Sequence, residues 1–459
     1  MSAQDGEQKA LPEGIFSLLD TDLYKLTMQN AIFTYFPDVQ VSYKFTNRTS
    51  DMLLNRAAFT WLQKQIAKLA NIAITSDEIQ FLTQTCKYLT PQYLVFLRSF
   101  RLHPKDQIQL DFHPATPGSD EGSISLSVTG RWLDTILYEI YLLALVSESY
   151  FKFCDKDWSH EGQVERAKDK GLRLMEAGCV FSEFGSRRRR DYKTHEMVMQ
   201  GLVDAQKESE SRGYKGKLSG TSNVHFAMKY GTMPIGTVAH EWFMGIAAIL
   251  NDYTKANETA LQYWIGTFGR GTLSIALTDT FGTPNFLEAF KKHAPPDYSL
   301  DPHASEPPPN PTYAQIFTGT RQDSGSPLEF VKLIKRFYDS QGITNRKTVV
   351  FSDSLDVDRC IEYKNHTEEV GLTPSFGVGT FFTNDFINTS TDKKSVPLNI
   401  VIKLSEAAGR PAVKISDNLG KNTGDSREVA RVKEELGYVE KDWAGGDERS
   451  RWGKSGDGA

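Results

Sequence analysis

The chain has 459 residues, enough for two or three domains or for one α/β barrel with an attachment. Lys plus Arg 53 against Asp plus Glu 58 gives a net charge of -5, which argues against nucleic acid or a membrane surface as the main partner, although a small anion needs only a local basic patch. With 39% hydrophobic and 24% charged residues the composition is globular, and the scattered Cys86, Cys154, Cys179 and Cys360 offer neither a CxxC pair nor zinc spacing, as expected of a reducing compartment.

The opening MSAQDGEQKALPEG lacks the basic start and apolar run of a secretory signal, so residues 1–14 read as a flexible tail on a cytoplasmic protein. DLYKLTMQNAIFTYF has helical spacing, and VQVSYKFTNRT alternates like a strand. Helices around Trp61 to Ala70 and Tyr88 to Phe100, then a strand at SISLSVTGRW, complete a separate α+β domain over residues 15–132. LDTILYEIYLLALVSESYF contains Asp134, Glu139 and Glu148 and reads as a buried helix rather than a membrane span.

From residue 133 to 395 the pattern becomes apolar helix followed by a short β-rich run, repeated. Seven such runs are CVFSEFG, GKLSGTS, PIGTVAH, TLSIALTD, YAQIFTG, KTVVFSD and TPSFGVG, and seven or eight parallel strands would most naturally close into a barrel. Proline density over 293–312 predicts an exposed loop. LNIVIKL and AVKISDN, within residues 396–440, are strand-like and either complete the first domain or cap the barrel, while 441–459 is a polar, mobile tail.

Nearly every unusual polar cluster follows directly after one of these runs, which in a parallel barrel is the active face. The run ends supply Glu183, Phe184, Gly185 and Arg187, then Thr221, Ser222 and Asn223, then His240, Asp279, Arg321 with Asp323, Asp353, and finally Gly377, Gly379 and Thr380. Backbone amides at Gly377 and Gly379 could approach a phosphate without Cβ obstruction, though GxG is also plain turn chemistry. Asp353 could hold a ribose hydroxyl or a magnesium ion.

The arginines 187 to 190 read as a solvated helix start, a nuclear-import patch or a phosphate clamp. The short spacing from Phe184 turns Arg187 inward, toward a planar anionic ligand, and leaves its three followers in solvent or in exchangeable ion pairs. A lone histidine beside apolar residues is usually a core group, but His240 ends a run and would share the barrel mouth with Asp279, a carboxylate able to orient an imidazole.

LLDTDLYKLTM, YKFTNRT, FSEFGSRRRR, GTSN, GTVAHEW, LTDTFGT, RQDSG, FGVGTFFTND and VKISDN together resemble the nicotinate phosphoribosyltransferase family, in family order and over nearly the whole chain. The resemblance implies an irregular seven-stranded α/β barrel joined to an α/β open sandwich. It implies transfer of a phosphoribosyl group from phosphoribosyl pyrophosphate to nicotinate, with Mg²⁺ as cofactor and ATP as co-substrate, in a reaction of ligase type.

Carried over residue by residue, it makes His240 a transient phosphohistidine with Asp279 alongside. It stacks the pyridine between Tyr24 and Phe184, sets its carboxylate near Arg187, and gathers the phosphoribosyl group with Arg48, Arg321, Asp323, Asp353, Gly377, Gly379 and Thr380. In the related nicotinamide enzyme an aspartate stands where Ser222 does, and a serine avoids repelling a carboxylate. The resemblance leaves a homodimer open, with Tyr24 and Arg48 serving either their own or a neighbouring barrel. The competing readings are a nicotinamide enzyme, a magnesium-dependent barrel lyase using Asp279, Asp323 and Asp353, and a non-catalytic phosphate-sensing barrel.

Overall fold

The computed structural model describes residues 13–296, 310–418 and 422–438. The tails expected at 1–14, apart from residues 13 and 14, and at 441–459 lie outside the described residues, as does the centre of the proline-rich segment. The ends of that segment meet: His293 and Thr312 form an antiparallel bridge.

The first strands are β1 (Gln40–Asn47), β2 (Leu54–Asn55), β3 (Ile108–Pro114) and β4 (Glu121–Arg131). Six short strands follow: β5 (Val180–Glu183), β6 (Lys217–Thr221), β7 (Ile275–Leu277), β8 (Gly319–Gln322), β9 (Thr348–Phe351) and β10 (Thr373–Val378). The last are β11 (Phe386–Ile387), β12 (Lys394–Ser395), β13 (Ile400–Ala407) and β14 (Arg410–Pro411).

One sheet is antiparallel, in the order β14-β13-β1-β4-β2 with β3 on β4. Val41 faces Gly130 on one side and Ala407 on the other, so residues 400–411 are part of the sheet that the N-terminal segment begins. The sequence reading passed over β3, although Ile108, Leu110 and Phe112 alternate as a half-buried strand should. AVKISDN, read as a strand, joins no sheet: it makes one bridge from Lys414 to Thr423 and a hydrogen bond from Ile415 N–H to the Thr280 carbonyl, and Ser416 takes a left-handed φ of 66. That φ turns the chain out of the extended path.

The other sheet is parallel, in the order β6-β5-β10-β9-β8-β7, and six of the seven predicted runs supply its strands. PIGTVAH is the exception. It makes a single parallel bridge, Pro234 to Thr221, because Pro234 has no amide to donate and the Arg321 guanidinium takes the Thr237 hydroxyl and the Val238 carbonyl. In YAQIFTG the first half is helical: a Thr312–Gln315 capping box starts the helix Tyr313–Ile316, and the strand begins only at Gly319.

The helix Tyr138–Phe153 is buried on nearly every side and runs between the two sheets' domains, packing on the helix Arg56–Lys68 and on β13. No helix among the described residues is long and apolar enough to cross a membrane.

Candidate active site

The C-terminal ends of the parallel strands, Arg48 just after β1, and β13 enclose a cavity of about 310 Å³. Tyr24, Arg48, Phe184, Arg187, Ser222, His240, Arg321, Asp323, Asp353, Gly377, Gly379 and Thr380 all line it. Asp279 does not; it is 1% exposed and stands directly behind His240. Tyr24 and Arg48 reach this cavity within their own chain.

His240 opens the helix His240–Leu250 and directs Nε2 at Asp279 Oδ1, 2.7 Å away, and at Asp323 Oδ2, 3.4 Å away. The other Asp279 oxygen accepts from the Ser324 hydroxyl at 2.6 Å and lies 3.0 Å from the Lys414 ammonium. Burial, reinforced by the Lys414 charge, pushes His240 down to about 4 despite its two carboxylate neighbours. Although burial opposes ionisation, Lys414 and His240 hold Asp279 well below the usual carboxylate range. Asp323 is likewise depressed, with Arg321 and His240 outweighing its burial. The imidazole is therefore neutral at pH 7. With Nε2–H given to Asp279, Nδ1 carries the lone pair.

Also in the lining, the Asp22 carboxylate stands at the N-cap of the helix Leu23–Tyr35 but makes no cap and instead accepts from the Ser186 and Ser222 hydroxyls at 2.6 and 2.7 Å. Burial raises its pKa. Phe184 packs over Gly377, where a Cβ would fall 2.3 Å from the ring. That residue's lack of a side chain thus makes room for the aromatic ring, a role separate from the phosphate approach that the GxG pattern suggested.

The arginine run departs from expectation. Arg187 does open into the cavity, with 44% of its side chain exposed. Arg189 and Arg190, however, are fully buried. Arg189 forms a bidentate pair with Asp20 at 2.7 and 2.8 Å. Arg190 lies against Phe151 and Phe386, 3.7 and 4.1 Å from their ring centres, and donates to Ser395. Arg188 holds the Ile400 carbonyl and Asn399. These three pin the site to its scaffold.

Several wall residues escaped the sequence reading: Asp22, Glu139, Glu241, Lys403 and Lys414. Lys403 on β13 is pulled down to about 8 by burial, with Glu139 opposing. Asp22 and Glu241 stood inside quoted motifs, as did Lys414. Lys403 and Glu139 carried no local signal, because a lysine in a strand and a glutamate in an apolar helix become site residues only when the two domains meet.

Two family models match this architecture: the nicotinate phosphoribosyltransferase N-terminal domain over residues 19–147 and the nicotinate phosphoribosyltransferase family over residues 179–440. The chain belongs to the nicotinate phosphoribosyltransferase family. It is 47% identical to the nicotinate phosphoribosyltransferase of Saccharomyces cerevisiae, over 95% of this chain and 99% of that one. The Methanosarcina acetivorans family member is 37% identical over 91% and 97% of the two chains. A crystal structure of the Saccharomyces cerevisiae family member superposes with a TM-score of 0.87 at 46% identity, covering 94% of this chain and all of that one. The Porphyromonas gingivalis family member gives a TM-score of 0.79 at 31% identity, over 92% and 100%.

Proposed function

We propose that this nicotinate phosphoribosyltransferase joins nicotinate to phosphoribosyl pyrophosphate, giving nicotinate mononucleotide and pyrophosphate for pyridine nucleotide salvage, and couples the step to ATP through phosphate on His240. The observation that carries the reading is one cavity lined by two unlike sets of side chains. One set is aromatic Tyr24 and Phe184 with the open Arg187; the other is His240, Asp323, Arg321, Lys403 and Lys414. The first suits a planar anion and the second a polyphosphate.

The pyridine nitrogen lone pair attacks C1 of the ribose as the C1–O bond to pyrophosphate breaks, its electron pair leaving with pyrophosphate. C1 develops positive charge, and the basic groups receive the departing phosphates. The neutral His240 attacks the γ-phosphorus of ATP through Nδ1, the bond to the β-phosphate oxygen breaks and ADP leaves; water later attacks the phosphorus, the N–P bond breaks, and inorganic phosphate departs to restore the neutral ring. Asp279 holds the ring and the charge it acquires. We also take the parallel sheet, with PIGTVAH as its seventh and irregular member, to be the family's seven-stranded barrel.

Among the described residues His240, Asp279 and Asp323 stand close enough together to share a metal ion. Asp279 already spends both oxygens, on His240 and on Ser324 with Lys414, and an imidazole is a poor partner for Mg²⁺. Asp323 and Asp353, both facing the cavity, fit the ion better, with substrate phosphates completing its shell. Mg²⁺ bound there would neutralise charge on the leaving pyrophosphate. The same engagement of Asp279 speaks against the three-aspartate lyase reading.

Pyrophosphate release should be strong with nicotinate, weak with nicotinamide, and stimulated by ATP; equal turnover of the two pyridines would overturn the assignment. Because Tyr24 and Arg48 line the cavity of their own chain, specific activity should stay constant on dilution, even through any dimer dissociation followed by light scattering. Ser222→Asp would set a second carboxylate against Asp22, whose oxygen now lies 2.7 Å from the serine hydroxyl. Nicotinate affinity measured by calorimetry should fall about tenfold or more, the cost of one lost charge-assisted contact.

A further inference from the structure

Lys25 follows Tyr24 on the same helix, is wholly buried, and does not itself line the cavity. Its ammonium sits between Glu139 Oε2 at 2.6 Å and Glu241 Oε2 at 2.5 Å. The second Glu241 oxygen accepts from the Tyr43 hydroxyl and Trp132 Nε1 at 2.5 and 2.7 Å, so that carboxylate is fully occupied. Glu139 is different. Its Oε2 takes Lys25 and, at 3.4 Å, the Tyr24 hydroxyl, while Oε1 faces Arg187 Nη1 at 3.7 Å, beyond direct hydrogen bonding.

Glu139 thus lies between a sealed cation at contact distance and a cavity-facing cation at a longer one. A buried carboxylate deprived of its cation takes the nearest other, since an unpaired charge in such a place is costly. We propose that Lys25 is a positioning residue for substrate selection: by holding Glu139 it keeps Arg187 from closing into an internal ion pair and leaves its guanidinium free for the carboxylate of an anionic pyridine. This rests on the reading in which Arg187 receives nicotinate. A guanidinium already paired with Glu139 would have fewer donors to offer, and the site would lose its preference for an acid over a neutral amide.

The test uses the full chain and steady-state kinetics, with melting curves on every variant. Lys25→Met should raise the nicotinate KM about tenfold or more, the equivalent of one charge-assisted hydrogen bond, while the PRPP KM stays within about twofold. Adding Glu139→Gln to Lys25→Met should bring the nicotinate KM back toward the parent value, a rescue that a purely structural role of Lys25 would not produce. Failure of that rescue, or equal loss for both substrates, overturns the proposal.

Should Lys25→Met not fold, Glu139→Gln alone decides: a lower nicotinate KM, from an Arg187 released from the Glu139 charge 3.7 Å away, supports the proposal, and an unchanged or raised KM overturns it. Arg187→Gln is the control for the underlying reading. If it leaves the nicotinate KM unchanged, the pyridine subsite is misplaced and the role of Lys25 falls with it. If it raises KM while Lys25→Met does not, only the role of Lys25 is lost.

Discussion

His240→Ala should keep a slow, ATP-independent transfer and lose all stimulation by ATP. In the proposed coupling, phosphorylation would replace a neutral ring by a group carrying close to two negative charges, in a cavity that Lys414 and Arg321 also line. Only the wild type can make that change. After incubation with ATP it should carry acid-labile, base-stable phosphate, and the variant none; equal stimulation of both would remove His240 from the coupling.

The depressed pKa of His240 adds a pH signature. Its folded value of about 4 lies below the ordinary 6.5, so as pH falls through that interval the unfolded chain takes up the proton first. The stability that the neutral ring contributes is full above pH 6.5 and is lost toward pH 4, with the depressed Asp279 adding to the loss at lower pH still. Denaturation of His240→Ala should show a shallower acid decline than the wild type across this window.

The arginine run should divide into two phenotypes although the residues are adjacent. Arg189→Met leaves Asp20 buried without its cation and should cost about 3–5 kcal/mol of folding stability, read from denaturant midpoints. Arg187→Lys should leave stability nearly unchanged, because its side chain already faces the open cavity. It should weaken nicotinate by about 1.5–3 kcal/mol, on the order of tenfold to a hundredfold, since an ammonium cannot offer two coplanar donors to a carboxylate. Equal losses of stability or of affinity along the run would mean that Arg187 and Arg189 do not hold separate roles.

That division shows where sequence reading stops. Four identical side chains in a row carry one pattern, and spacing from Phe184 was enough to single out Arg187. What became of Arg189 and Arg190 depended on Asp20, Phe151 and Phe386, which are distant in the chain and close only after folding. A local run reads as solvated because charges usually are; burial of a cation is decided by the partners that tertiary structure delivers.

The sequence by itself determined the alternation of helices with short apolar runs, because period and turn chemistry are local. It also determined the placement of chemistry at run ends, because parallel strands all finish on one face. His240, Asp279, Arg321, Asp323 and Asp353 followed from that rule and from the motifs. The tertiary structure alone decided that PIGTVAH stays outside the ladder, held by Arg321, and that β13 crosses from the far end of the chain to β1, bringing Lys403 to the cavity. It alone placed Lys25 between Glu139 and Glu241. Those contacts join residues more than a hundred positions apart. Their energies come from burial and charge pairing that no window of sequence contains.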